Sequence, residues 1–312
     1  MSLLPLIAAL AALSGSPAPA PAPATAPAAA ARPSETRFSP LVVPDGEGPA
    51  IEAAVWTPPG GGRGLPLVVI SHGNGGDFRS HEDTAQALAH AGFVVAALTH
   101  TGDNWRDQSR ATDVAGRPRQ LAVLIDYMLG AWEGRASLDP ARVGAFGFSA
   151  GGFTVLTAVG GEADLSRIAE HCRANPGFYD CQLIAARPVT AEIPRWTHDT
   201  RIKAAVVAAP ALGFAFTREG LAQVRQPVQL WQASGDQVLP APWYVEPVRA
   251  GLPTLPEFHL VEGAGHFDFL RPCSAQLAAV APAVCAPTPG FDRTAFHVRF
   301  NAEVVRFLKA RL

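Results

Sequence analysis

The strongest chemical signal in the chain is a serine hemmed in by glycines, with an aspartate and a histidine far downstream. Ser149 stands in Gly147-Phe148-Ser149-Ala150-Gly151, a G-x-S-x-G pattern. The apolar run "ARVGAFGFS" (141–149) precedes it and the helical stretch "AGGFTVLTAVGG" follows. A serine at such a strand-to-helix turn has an exposed hydroxyl on strained backbone, and small residues two before and two after let strand and helix approach. The helix aims its N-terminus at the reacting atom and favours negative charge developing there. In a chain with 29 glycines the pattern also arises as a plain turn; its position between strand and helix is what favours a nucleophile.

A serine hydroxyl attacks only when a base takes its proton, and the base needs an orienting acid. In this kind of architecture the chain order is serine, then acid, then histidine. Asp236 closes "VQLWQASGD" before the turn "QVLP", and His266 closes "FHLVEGAGH". Both follow strand-like runs, so hydroxyl, imidazole and carboxylate are expected on one edge of a sheet. The plainer readings are a helix cap for Asp236, ahead of "PAPWYVEPV", and a loop position for His266. Asp268 competes for the acid role, but two residues past His266 on an extended chain it is expected to point away. His90, His171, His198 and His259 are expected at the surface or in packing.

An attacked carbonyl also needs two N–H donors for its oxyanion. Ala150, after the nucleophile, is expected to supply one. Asn74, in His72-Gly73-Asn74-Gly75-Gly76, is expected to supply the other, with Gly73 and Gly75 shaping the loop. Such a loop can also cradle a phosphate, but it lacks the G-K-[ST] of a P-loop. Asp103 in "HTGDN" is expected to tie its loop by hydrogen bonds. Phe148, Trp105, Trp243, Phe214 and Trp196 are candidate substrate-binding residues near the same edge; each alone is also an ordinary packing residue.

Strand-like and helical segments alternate around these positions. Buried strands are expected at 65–72, 93–100, 141–149, 202–210, 227–236 and 257–266, and helices at 81–92, 119–132, after 149, and at 294–312. The alternation predicts an α/β protein with a mainly parallel, doubly wound sheet. "RFSPLVV" and "IEAAVWTPP" suggest antiparallel edge strands before it. Residues 161–200 lose the periodicity and read as an insertion.

The N-terminus has a different composition. "MSLLPLIAALAAL" has the length of a signal peptide, too short for a bilayer span, although it lacks a basic start. Residues 1–20 are expected to be removed on export. Residues 21–36 are expected to form a Pro/Ala-rich disordered spacer, and 37–312 one catalytic domain carrying the 161–200 insertion. The product would be periplasmic or secreted, with no stable membrane insertion. The 312 residues are 48% hydrophobic and 17% charged, with a net charge of -2 and no basic block, a poor match to nucleic acid. Four cysteines allow three pairings, of which Cys172–Cys181 and Cys273–Cys285 are the short-range choice. No CxxC or HxxxH spacing suggests a metal site, and a monomer is expected.

The motifs "SHGNGG" (71–76), "LTHTGDN" (98–104), "GFSAGG" (147–152), "AAPALGFAF" (208–216), "SGDQVLP" (234–240) and "GAGHFDFLRPC" (263–273) give the chain a family resemblance. It resembles an α/β-hydrolase of the dienelactone hydrolase-like group, close to bacterial relatives of platelet-activating-factor acetylhydrolase, over most of residues 65–312. The resemblance implies hydrolysis of carboxylic esters without metal or organic cofactor; the triad would work through an acyl-enzyme, and the aromatic candidates suit small or aromatic and apolar esters. Dienelactone hydrolases carry a cysteine nucleophile; Ser149 stands there instead, which argues against dienelactone as substrate. The triad does not separate small-molecule esters from polymeric esters, amides, peptides or acyl transfer. A non-catalytic binder of the same fold has no reason to retain all four site elements.

Overall fold

The computed structural model describes residues 35–187 and 195–312. The expected signal segment, nearly all of the Pro/Ala spacer and residues 188–194 of the insertion lie outside the described residues. One eight-stranded sheet organises the rest, in the order β1-β2-β4-β3-β5-β6-β7-β8. The strands are β1 Arg37–Val43, β2 Ile51–Thr57, β3 Leu65–Ser71, β4 Val94–Leu98, β5 Leu138–Phe148, β6 Ile202–Ala208, β7 Val228–Ala233 and β8 Glu257–Val261. β1 and β2 are antiparallel to their neighbours, and every pairing from β4 across to β8 is parallel.

Period-two alternation assigns each strand residue to one of two cores. Leu67, Val69, Ala145 and Val207 face one layer; Val68, Ile70, Phe146 and Val206 face the other. Both layers are apolar, which is why the central strands read as unbroken hydrophobic runs. Helices α1 Glu82–His90, α2 Gly116–Gly130, α3 Ala150–Ala158, α4 Arg167–Ala174, α5 Tyr179–Ala186, α6 Val245–Gly251, α7 Ala275–Val280, α8 Pro282–Cys285 and α9 Arg293–Lys309 complete the described chain. α2, α3 and α6 cover the first face through Leu121, Leu124, Phe153, Leu156, Val245 and Val248. α1 and α9 cover the second through Leu88, Phe296, Phe300 and Phe307. The protein is therefore of α/β class. No helix among the described residues is long and apolar enough to cross a membrane.

Several boundaries differ from the expected ones. α2 starts at Gly116 rather than 119, because the Asp113 carboxylate accepts the Gly116 N–H at 3.1 Å. The insertion forms α4 and α5, joined by the Cys172–Cys181 disulfide. Tyr244 holds it to the body by donating to the buried Asp180 carboxylate at 2.8 Å. The stretch between Cys273 and Cys285 carries no periodic signal, yet forms α7 and α8 inside the second disulfide. There Ser274 caps α7 by accepting the Leu277 N–H at 3.2 Å, and Pro282 opens α8.

The strand order reverses at β3: the chain goes from β3 to β4 on one side and then to β5 on the other. Ser71 and Gly147 are register partners at the ends of β3 and β5. A crevice beyond the carboxyl ends of two such strands is where an open α/β sheet offers a ligand site.

Candidate active site

Ser149 follows β5 with φ +56° and ψ -119°, a left-handed conformation that a non-glycine residue adopts only when its surroundings impose it. Backbone bonds do so here. The Ser149 N–H donates to the Ala208 carbonyl at 2.9 Å, while its carbonyl accepts from Phe153 at 3.1 Å and Ala211 at 3.0 Å. The flanking glycines are required by contact. A Cβ on Gly147 would lie 2.0 Å from the Gly151 carbonyl oxygen, and one on Gly151 would lie 1.9 Å from that of Ser71.

The loops after β7 and β8 emerge on the same edge, because these strands are parallel to β5. They bring Asp236 and His266 to the serine. His266 Nε2 is 3.1 Å from Ser149 Oγ, and His266 Nδ1 is 2.7 Å from Asp236 Oδ2. A carboxylate accepts and does not donate, so Nδ1 carries the ring proton and Nε2 is left to accept the serine O–H. The other oxygen, Asp236 Oδ1, accepts the N–H groups of Val238 at 2.9 Å and Leu239 at 2.7 Å. All three side chains are buried. The His266 ring packs beside Phe148, with centroids 4.7 Å apart.

Asp268 does not meet the His266 ring, but for a different reason from the one expected. The chain there is not extended: His266–Phe269 is a 3-10 turn. The buried Asp268 carboxylate accepts the Gly265 N–H at 2.8 Å and Arg293 Nε at 2.9 Å, which fastens the histidine loop. His171 is a packing residue, stacked 3.6 Å from Phe214, and burial lowers its pKa.

The Asn74 loop follows β3 and runs beside Ser149: a Cβ on Gly73 would come within 3.2 Å of Ser149 Cβ. The N–H groups of Asn74 and Ala150 take part in no hydrogen bond among the described residues. Asp103 sets the loop's shape. Its Oδ1 accepts from Asn74 Nδ2 at 2.6 Å and from the Gly75 N–H at 3.0 Å. Its Oδ2 is paired with Arg117, which also donates to the His72 carbonyl, and both side chains are buried. His72 Nε2 accepts the His100 N–H at 2.9 Å. Burial, followed by the Arg117 charge, holds the His72 and His100 rings well below the usual histidine range. Tyr179, at the start of α5, donates its hydroxyl to Asn74 Oδ1 and so ties the insertion to this loop.

A cavity of about 690 Å³ opens over Ser149 and His266. Phe148 and Trp105 line it, but the other three aromatic candidates do not. Phe214 is buried against His171, Trp196 packs on Phe153 at 5.7 Å, and Trp243 lies edge-on to His171 at 5.7 Å. These three turn back onto the insertion and α3, whose apolar faces need covering. The lining comes instead from Tyr179, Phe267, Leu270 and the α7–α8 segment.

Two side-chain groups have metal-like spacing among the described residues. In the first, His171 with Asp180 and Cys181, the sulfur is already spent in a disulfide. In the second, Glu257 with His259 and Glu303, Glu257 is held by Gln229 at 2.7 Å and by Arg306.

No family model matches the chain. A curated protein of Nocardia uniformis subsp. tsuyamanensis, named "Putative esterase NocK", is 30% identical over 97 residues, which is 30% of this chain and 28% of that protein. The chain thus matches less than a third of that relative's length.

Proposed function

We propose that the protein is a serine hydrolase of α/β-hydrolase type that cleaves carboxylic esters through an acyl-enzyme at Ser149. The observation that carries this reading is the unbroken hydrogen-bonded chain from Ser149 Oγ through His266 to Asp236, opening on a cavity. The local similarity to a protein named as an esterase points the same way.

In the first step His266 Nε2 takes the Ser149 proton as Oγ attacks the ester carbonyl carbon. Asp236 holds the ring in the required tautomer and stabilises the imidazolium. The free N–H groups of Asn74 and Ala150 receive the oxyanion. The tetrahedral intermediate collapses, His266 passes its proton to the leaving alcohol, and the acyl group stays on Oγ. A water, deprotonated by the same ring, then releases the acid and restores Ser149. Residues 37–312 act in this reading as one catalytic domain, a monomer acting on small-molecule or polymeric esters. Two disulfides favour an oxidising location, periplasmic or secreted, reached through a signal at 1–20.

A fluorophosphonate probe should label Ser149, and Ser149→Ala should lower kcat on an ester panel by on the order of 10³ to 10⁶. Wild-type turnover by purified Ser149→Ala would remove the proposal.

A further inference from the structure

The cavity has one wall that nothing among the described residues covers. α7 and α8 bury none of their residues, yet Leu277, Val280 and Val284 line the cavity that contains Ser149. Val280 is 80% exposed, and Trp105, on another wall of the same cavity, is 65% exposed. The segment is fastened at its ends instead of through a core. The Cys273–Cys285 disulfide closes it. Arg293 Nη1 donates to the Val284 carbonyl at 3.1 Å, while Arg293 Nε reaches Asp268, which fastens the histidine loop. Apolar side chains held open to water beside a nucleophile have a rationale if a ligand covers them.

We propose that this stapled strap is the specificity wall of the substrate pocket, and that the protein takes esters with an apolar group much larger than acetyl. Such a group lies against Leu277, Val280 and Val284 and is shielded further by Trp105 and Phe148. The proposal rests on the serine-hydrolase reading above. An acetyl group leaves most of the 690 Å³ unfilled and gains none of this contact. Each added methylene that reaches the wall should raise kcat/KM by about fourfold.

The test uses full-length oxidised protein with p-nitrophenyl acetate, butyrate and octanoate, plus fluorophosphonate labelling of the wild type. The wild type should favour octanoate over acetate in kcat/KM by at least about tenfold. Leu277→Asn with Val280→Asn should cut that ratio by about tenfold or more, mainly by raising KM for octanoate. Val280→Asn alone, at an exposed position where folding is not at stake, should cut it in the same direction. Labelling of Ser149 with no octanoate preference, or with a preference that these variants leave unchanged, overturns the strap proposal and spares the hydrolase reading. Failure to label Ser149 and to hydrolyse any ester overturns both.

Discussion

Gly151 lies so close to Ser71 that a side-chain carbon added to it would fall 1.9 Å from the Ser71 carbonyl oxygen. The turn bearing Ser149 is thus pressed directly against the strand that launches the Asn74 loop. Neither partner can yield, because the contact is with backbone. Gly151→Ala, and Gly147→Ala with its 2.0 Å contact, should each cost about 3 kcal/mol of stability or more and lower esterase activity at least a hundredfold. Urea unfolding and steady-state kinetics check both; a wild-type melting curve for either variant would contradict the packing described.

Asp236→Asn keeps the shape of the acid but can present an amide donor to His266 Nδ1. The ring can then rest in the wrong tautomer, with Nε2 protonated and unable to accept the serine proton. kcat should fall by on the order of 10³ to 10⁴ with the fold retained. An unchanged rate, measured beside circular dichroism, would move the acid role elsewhere.

Arg117 and Asp103 form a buried pair under the Asn74 loop. Arg117→Met leaves the carboxylate buried without its partner and should destabilise the protein by about 3 to 5 kcal/mol. Asp103→Asn removes the charge and leaves one amide donor where an acceptor stood. It should misplace the loop and lower kcat more than it changes KM. A rise in KM alone would argue that the loop binds substrate without serving the transition state.

Buried histidines should lower the stability as the pH falls. Burial pushes His81 from its ordinary 6.5 down to about 3, opposed by nearby Asp83 and reinforced by His297. His72 and His100 are depressed too. Above pH 6.5 each ring is neutral both folded and unfolded and contributes no pH dependence. Below it the unfolded chain takes up a proton that the folded one refuses, so stability falls by about 1.4 kcal/mol per pH unit for each ring. Urea unfolding should therefore give a lower stability at pH 5.5 than at pH 7.5, and His81→Phe should flatten the difference by about one proton's worth. Equal stability at both values would exclude neutral burial of these rings.

Ser149 follows a continuous apolar run, Asp236 and His266 follow shorter strand-like runs, and parallel strands deliver their following residues to one edge. The same logic puts the Asn74 loop at that edge. It failed for Phe214, Trp196 and Trp243, because a residue's nearness in sequence to a strand end does not say which way the loop folds back. These rings were claimed by the insertion and α3. Tyr179 was missed within an aperiodic segment, where only a tertiary contact reveals its hydroxyl. Leu277, Val280 and Val284 were missed for a related reason: their helices are too short for apolar spacing to register. Asp268 does turn away from the His266 ring, but not along the extended chain expected, since no strong sequence signal marks a one-turn 3-10 segment.

Ser71 and Gly147 are paired across the sheet, so the Asn74 loop and the Ser149 turn leave from neighbouring rungs of one ladder. Their spacing is set by main-chain bonding at the centre of the molecule. The insertion, the strap and the aromatic rim all attach further out. Variation among descendants of this chain can therefore redraw the rim while the Ser149 hydroxyl keeps its place.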